Sequence, residues 1–244
     1  MKKILIALTL LVPSLVSAAG GSNVPLESAN IDLTDQASLQ RGAKLFMNYC
    51  LGCHQMQYQR YERTFNDIGI PVELGKENLI FTGAKVGEHI KNGMPAEDAK
   101  KWFGAAPPDL TLESRLRTPD WIYTYLKSFY ADPSRPFGVN NTVFPQVGMP
   151  HVLQELQGVR YKAKESRLVD GEVVEDEVFK VDGSGELSEE EYDQVARDLT
   201  NFLAYVGEPM QLERKSMGWK VLLYCLVFFI LAVLLKKEFW KDVD

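Results

Sequence analysis

Cysteine and histidine are scarce, with three of each in 244 residues. Cys50 and Cys53 fall in one cluster with His54, so no second pair is left for a structural disulfide. A four-ligand zinc site cannot be assembled either. Beyond that cluster only Cys225, His89 and His151 remain, and Cys225 lies in an apolar run that cannot reach it. Internal repeats are absent, and 45% hydrophobic with 25% charged residues excludes a disordered chain. Basic residues are in deficit. The formal charge of −6 becomes −8 without the N-terminal segment that carries Lys2 and Lys3, which disfavours nucleic acid and suits a cationic partner.

Long apolar runs occur only at the two ends. Residues 1–18 read Met1-Lys2-Lys3, an apolar stretch from Ile4 to Val12, Pro13, and small residues to Ala18. That is the layout of a bacterial secretory signal cut after Ala18, so the rest of the chain is expected outside the cytoplasm. Residues 19–34 read as an extended leader. Near the C-terminus, Val221 to Leu235 carries no charge, and with Met217 to Lys220 it is long enough for one transmembrane helix, a span of about 217–235. Trp219 and Trp240 sit where interfacial aromatics belong. Exported up to the span, the chain would be a periplasmic domain over 35–210 and an anchor over 211–244, ending in a short cytoplasmic tail.

Between these ends lies Cys50-Leu51-Gly52-Cys53-His54, the pattern C-x-x-C-H. Two thiols at this spacing form thioethers with the vinyl groups of a haem, and the adjacent imidazole binds its iron. A redox dithiol needs no such histidine and is expected near a βαβ pattern, which is absent. A helix beginning near Asp35 carries Leu39, Ala43, Phe46, Cys50 and Cys53 on one stripe. Gly42 within it costs about 1 kcal/mol against Ala, which points to a close neighbour. That neighbour is expected in the segment from Ser188 to Tyr205, where Ser188 and Glu191 form a capping box and Tyr192, Val195, Leu199, Phe202 and Val206 trace one apolar face.

Tyr58-Gln59-Arg60-Tyr61 offers polar groups to the haem edge or to a partner, or is solvated surface; His89 reads as part of a short helix. From Tyr161 to Val181 the pattern alternates around Asp170-Gly171, the signature of a β-hairpin. This stretch is acidic, either a solvated face or a docking surface for a basic partner. The chemistry rests on the second axial ligand, since a methionine closes the iron to all but electron transfer. Two Met-Pro pairs, Met94-Pro95 and Met149-Pro150, compete for that role, and spacing does not separate them.

The haem motif with Tyr58 to Tyr61, Trp102-Phe103-Gly104 leading to Pro107-Pro108-Asp109-Leu110, the Gly148-Met149-Pro150 loop, and Gly207-Glu208-Pro209 before one C-terminal span together resemble the cytochrome c1 family of the ubiquinol–cytochrome c reductase (bc1) complex. The resemblance implies a mainly α c-type cytochrome domain with long loops, a small β-hairpin and one C-terminal transmembrane helix. It implies one covalent haem c with His54 and Met149 as metal ligands, Pro108 against the haem, and Arg115 or Arg117 on a propionate, with Arg115 named first. The implied role is electron transfer from a Rieske iron–sulfur protein to a cytochrome c, beside cytochrome b in a dimeric complex within the bilayer, with no catalytic residue of its own. Alternatives are a cytochrome subunit of another respiratory oxidase or dehydrogenase, separable by co-purifying partners, and an open-site haem enzyme or gas sensor, separable by carbon monoxide binding.

Overall fold

The computed structural model describes residues 24–169 and 172–241. The signal segment 1–18 and the Asp170-Gly171 turn therefore lie outside the described residues.

Asp35 opens the first helix, α1 (Gln36–Leu45), its carboxylate accepting the Ser38 N–H at 3.0 Å. The helix then widens into a π-turn over Phe46–Cys50, where the Leu51 N–H donates to the Phe46 carbonyl at 2.9 Å. It stops there, so Cys53 is not on the helical stripe that its spacing suggested. Instead the N–H groups of Cys53 and His54 both turn back onto the Cys50 carbonyl, at 3.0 and 2.8 Å.

Six short helices follow among the described residues: α2 (Tyr61–Asp67), α3 (Val72–Leu79), α4 (Ala96–Phe103), α5 (Glu113–Arg117), α6 (Pro119–Lys127) and α7 (Gln154–Gln157). Antiparallel strand pairs join β1 (Met56–Arg60) to β2 (His89–Ile90), β3 (Phe129–Ala131) to β4 (Val139–Asn141), and β5 (Arg160–Val169) to β6 (Glu172–Val181). His89 is thus on a strand, held by pairing with β1, and not in a helix. The third pair is the expected hairpin, in register from Arg160↔Val181 to Val169↔Glu172.

The long helix α8 (Glu189–Gly207) begins with the expected capping box: the Ser188 hydroxyl accepts the Glu191 N–H at 3.3 Å and the Glu191 carboxylate accepts the Ser188 N–H at 2.9 Å. It crosses α1 at Gly42, where an added Cβ would lie 2.1 Å from the Asp198 carbonyl oxygen and 2.6 Å from Phe202 Cβ. One turn on, the Phe46 and Phe202 rings meet at 6.1 Å. Buried Asp198 accepts from Ser38 Oγ at 2.7 Å and from Arg41 Nε at 2.6 Å, tying the two helices by charge as well as packing.

α6 packs on the other side of α8, its Leu126 carbonyl accepting the Tyr192 hydroxyl at 2.8 Å. Residues 19–23 of the leader lie outside the described residues; from residue 27 it is packed down. Its Glu27 and Ala29 N–H groups donate to Thr124 Oγ1 and Asp120 Oδ1 at 2.9 and 2.8 Å, and Asn201 Nδ2 holds the Asp32 carbonyl at 2.8 Å.

After Gly207 the chain turns into α9 (Gln211–Phe239), whose side chains stay exposed along its length. At about 1.5 Å per residue its 29 residues reach ~44 Å, and it is the one helix among the described residues long and apolar enough to cross a membrane. Glu208 joins the two parts: its carboxylate meets Arg214 on α9 and lies 3.8 Å from Arg115 on α5.

Candidate functional site

A predominantly apolar cavity of about 310 Å³ opens between the end of α1, α6, α8 and the loops before α5 and α7. Cys50, Cys53, His54, Pro107, Pro108, Leu110 and Met149 all line it.

The histidine is set by the Pro-Pro-Asp-Leu segment. Asp109 accepts the Gln57 N–H at 2.8 Å and the Thr111 N–H at 2.9 Å, while the Leu110 N–H donates to the Gln55 carbonyl at 2.9 Å. Pinned this way, Pro108 offers its carbonyl to His54 Nδ1–H at 2.8 Å. A carbonyl only accepts, so Nδ1 carries the proton and Nε2 keeps its lone pair, the state of an imidazole ready to bind a metal. Burial holds the His54 pKa below its ordinary value, partly offset by that hydrogen bond, which again favours the neutral ring.

Another part of the lining comes from a loop built by two asparagines. Asn141 Oδ1 accepts the N–H groups of Val143 and Phe144 at 2.9 and 3.1 Å; Asn140 Oδ1 accepts that of Gln146 at 2.8 Å. Arg135 Nη2 holds the Gln146 carbonyl at 2.8 Å. Met149 reaches the cavity from this loop, and its sulfur accepts the Tyr125 hydroxyl at 3.3 Å. His151, two residues on, turns away: its ring stacks on Phe129 at 4.8 Å and its Nε2 donates to Gln157 at 2.7 Å. Met94 sits half-buried in the loop after β2 and does not line the cavity.

The arginines also separate. Arg117 lines the cavity, its guanidinium 4.9 Å above the Trp121 ring and 5.8 Å from that of Phe144. Arg115, expected on the propionate, instead lies 3.8 Å from Glu208 and does not line the cavity. The physical reason is the turn between α5 and α6, where Thr118 adopts φ +78°, uncommon for a β-branched residue, and caps α6 through its side chain. That turn brings Trp121 back over Arg117. Of the stretch 58–61, Tyr61 and Gln59 are buried, and Gln59 Nε2 donates to the Tyr205 hydroxyl at 3.1 Å; none of the four lines the cavity.

Sequence reasoning missed Trp121, Tyr125, Phe144 and the two asparagines. The Asn140-Asn141 pair is a turn signal visible in the sequence. The aromatics carried no signal, because their spacing reads equally as ordinary core.

The profile described as Cytochrome C1 family matches residues 28–243. The chain belongs to the cytochrome c1 family. A cytochrome c1 of Allochromatium vinosum is 55% identical over the whole of both chains. A protein described as an ammonia monooxygenase gamma subunit, from Nitrosomonas europaea, is 41% identical over all of this chain and 99% of its own. A cytochrome b/c1 of Bradyrhizobium diazoefficiens is 24% identical over 85% of this chain and 34% of its own length.

Membership of the cytochrome c1 family implies a c-type haem and a role in electron transport. The residues present fit that group. The cavity falls in the range of about 300–1,000 Å³ common to organic ligands, its walls are predominantly apolar, and its polar groups include an imidazole with a free nitrogen, a thioether, two thiols, and the Arg117 guanidinium with the Glu113 carboxylate 3.8 Å from it.

Proposed function

We propose that this chain is the electron-transfer subunit of a bc1 complex, taking electrons from a Rieske iron–sulfur protein and passing them to a cytochrome c. The observation that carries the reading is the arrival of Cys50, Cys53, His54 and Met149 on one apolar cavity from two segments about 95 residues apart. One haem would be attached covalently through the two cysteines, with His54 and Met149 as axial ligands. When bound, the haem supplies reversible one-electron chemistry.

The chain's own residues hold and tune it. Pro108 fixes the His54 tautomer, the Asn140–Asn141 loop presents the Met149 sulfur, and Arg117, not Arg115, is placed where it would meet a propionate. The predominantly apolar walls would limit water, and His54 and Met149, holding the haem iron between them, would leave it to electron transfer alone. No group here acts as a general acid, base or nucleophile.

The same reading divides the chain into an export signal (1–18), a leader (19–34), a periplasmic haem domain (35–210) and an anchor (211–244) with its C-terminus in the cytoplasm. The anchor would lie beside cytochrome b in a dimeric complex.

The test is twofold. In the reduced full-length protein, Met149→Leu should lose the low-spin spectrum and gain carbon monoxide binding, whereas Met94→Leu should not. The tagged chain should co-purify from its own membranes with a Rieske protein and a b-type cytochrome. Recovery with the subunits of a terminal oxidase or a monooxygenase would overturn the assignment of complex, and carbon monoxide binding by the wild type would overturn the closed site.

A further inference from the structure

The Tyr125 hydroxyl and the Met149 sulfur form the one side-chain hydrogen bond given to either group among the described residues. Tyr125 has little freedom to make another. Its ring stacks on Trp121 at 5.0 Å with planes 10° apart and meets Phe129 edge-on at 5.1 Å. Trp121 is in turn covered by the Arg117 guanidinium. The ring is therefore clamped from both sides, and its hydroxyl has one acceptor in reach.

A thioether sulfur carries two lone pairs and is a weak acceptor. With one lone pair held by the phenol, the other is the one left to face the cavity. A proton resting on the sulfur also draws electron density from it, which makes it a poorer donor to a metal and favours the reduced, less positive iron.

We infer that Tyr125 is a positioning residue for the Met149 sulfur, one that both orients its free lone pair toward the cavity and raises the reduction potential of the centre. The inference rests on the reading of Met149 as the sixth ligand, and is separable from it by experiment.

Full-length holoprotein is prepared as wild type, Tyr125→Phe, Met149→Leu and the double variant. Tyr125→Phe keeps the stacked ring and removes only the hydroxyl. It is expected to stay low-spin and closed to carbon monoxide, while its reduced-to-oxidised ratio at a fixed applied potential falls about fivefold, the equilibrium weight of one hydrogen bond of ordinary strength. In the Met149→Leu background the same change should have no further effect, because the acceptor is gone. An unchanged ratio in Tyr125→Phe, or an equal fall with and without Met149, overturns the inference while leaving the sixth ligand intact. A Met149→Leu protein that stays low-spin and inert to carbon monoxide overturns the ligand reading, and this inference with it. A readout independent of folding is the iron–sulfur stretching band of the wild type. It should shift in deuterium oxide if the phenol proton rests on the sulfur, and a band that does not move overturns the inference.

Discussion

Gly42 packs against the Asp198 carbonyl so closely that a methyl group built on it would lie 2.1 Å from that oxygen. Helix propensity alone would make Gly42→Ala stabilising by about 1 kcal/mol. The contact is with backbone on one side and a Cβ on the other, neither of which can rotate away, so packing decides the sign. Gly42→Ala is expected to destabilise by about 1–3 kcal/mol and Gly42→Val by more. Urea unfolding of the holoprotein, together with haem content per chain, checks this; an alanine variant more stable than wild type would show that the α1–α8 crossing has been misplaced.

The two arginines of α5 are expected to separate in a redox titration. Arg117 is in the cavity wall and Arg115 is paired with Glu208 outside it. On the proposed haem site, removing a cation near the iron would favour the oxidised, more positive state, so Arg117→Gln should lower the midpoint potential while Arg115→Gln leaves it unchanged. Equal shifts in the two variants would contradict the placement of the propionate.

Acid stability depends on a cluster between α6 and α8. Burial alone would raise the Asp193 pKa, but hydrogen bonds from Lys127, Tyr123 and Arg197 outweigh it and bring it from 3.8 to about 2. A carboxylate depressed in the folded state stabilises it fully above its unfolded pKa, and that contribution fades as pH falls through the folded value. The wild type should therefore lose stability between about pH 4 and pH 2. Asp193→Asn should be less stable near neutrality and show a shallower fall across that window, read from urea midpoints at each pH.

The acidic hairpin is expected to contribute little to partner docking through the acids whose partners are seen. Glu165, Glu175 and Glu177 lie 2.7, 3.1 and 3.0 Å from Lys180, Lys164 and Lys162 on the opposing strand. Their field is largely cancelled at a distance, and exposed pairs of this kind are each worth about 0–1 kcal/mol. Replacing all three pairs together, Glu165, Glu175 and Glu177 with Lys162, Lys164 and Lys180, by glutamine should leave the rate of electron transfer to a basic cytochrome c, and its dependence on salt, within about twofold of wild type in stopped-flow measurements. A steeper loss at low salt would restore the hairpin as a steering surface.

Much of the architecture was legible because it rests on local signals. Asp35, the Ser188–Glu191 capping box, the alternation from Tyr161 to Val181 and the apolar run of α9 each fix an element without long-range information. Gly42 announced a helix crossing because a glycine in mid-helix is costly unless something occupies the space. The cluster Cys50-Leu51-Gly52-Cys53-His54 named the cofactor, and the family resemblance chose between Met94 and Met149. What the sequence did not reveal depends on how loops close. Nothing local says that the helix ends in a π-turn at Cys50, that Thr118 turns Arg117 inward and leaves Arg115 outside, or that Tyr125 arrives beside Met149. These are consequences of tertiary closure, in which residues of unremarkable spacing become neighbours.

The walls of the cavity are drawn from positions as distant as Tyr49 and Leu203. Burial, reinforced by the neighbouring Cys53, pushes the Cys50 thiol up to about 12, where almost none of it is thiolate at neutral pH. In the finished fold this thiol is thus a weak nucleophile, on a cavity to which α8 contributes Leu199 and Leu203. On the proposed covalent attachment, a chain that reaches this arrangement before it meets haem would offer Cys50 in its protonated, less nucleophilic form.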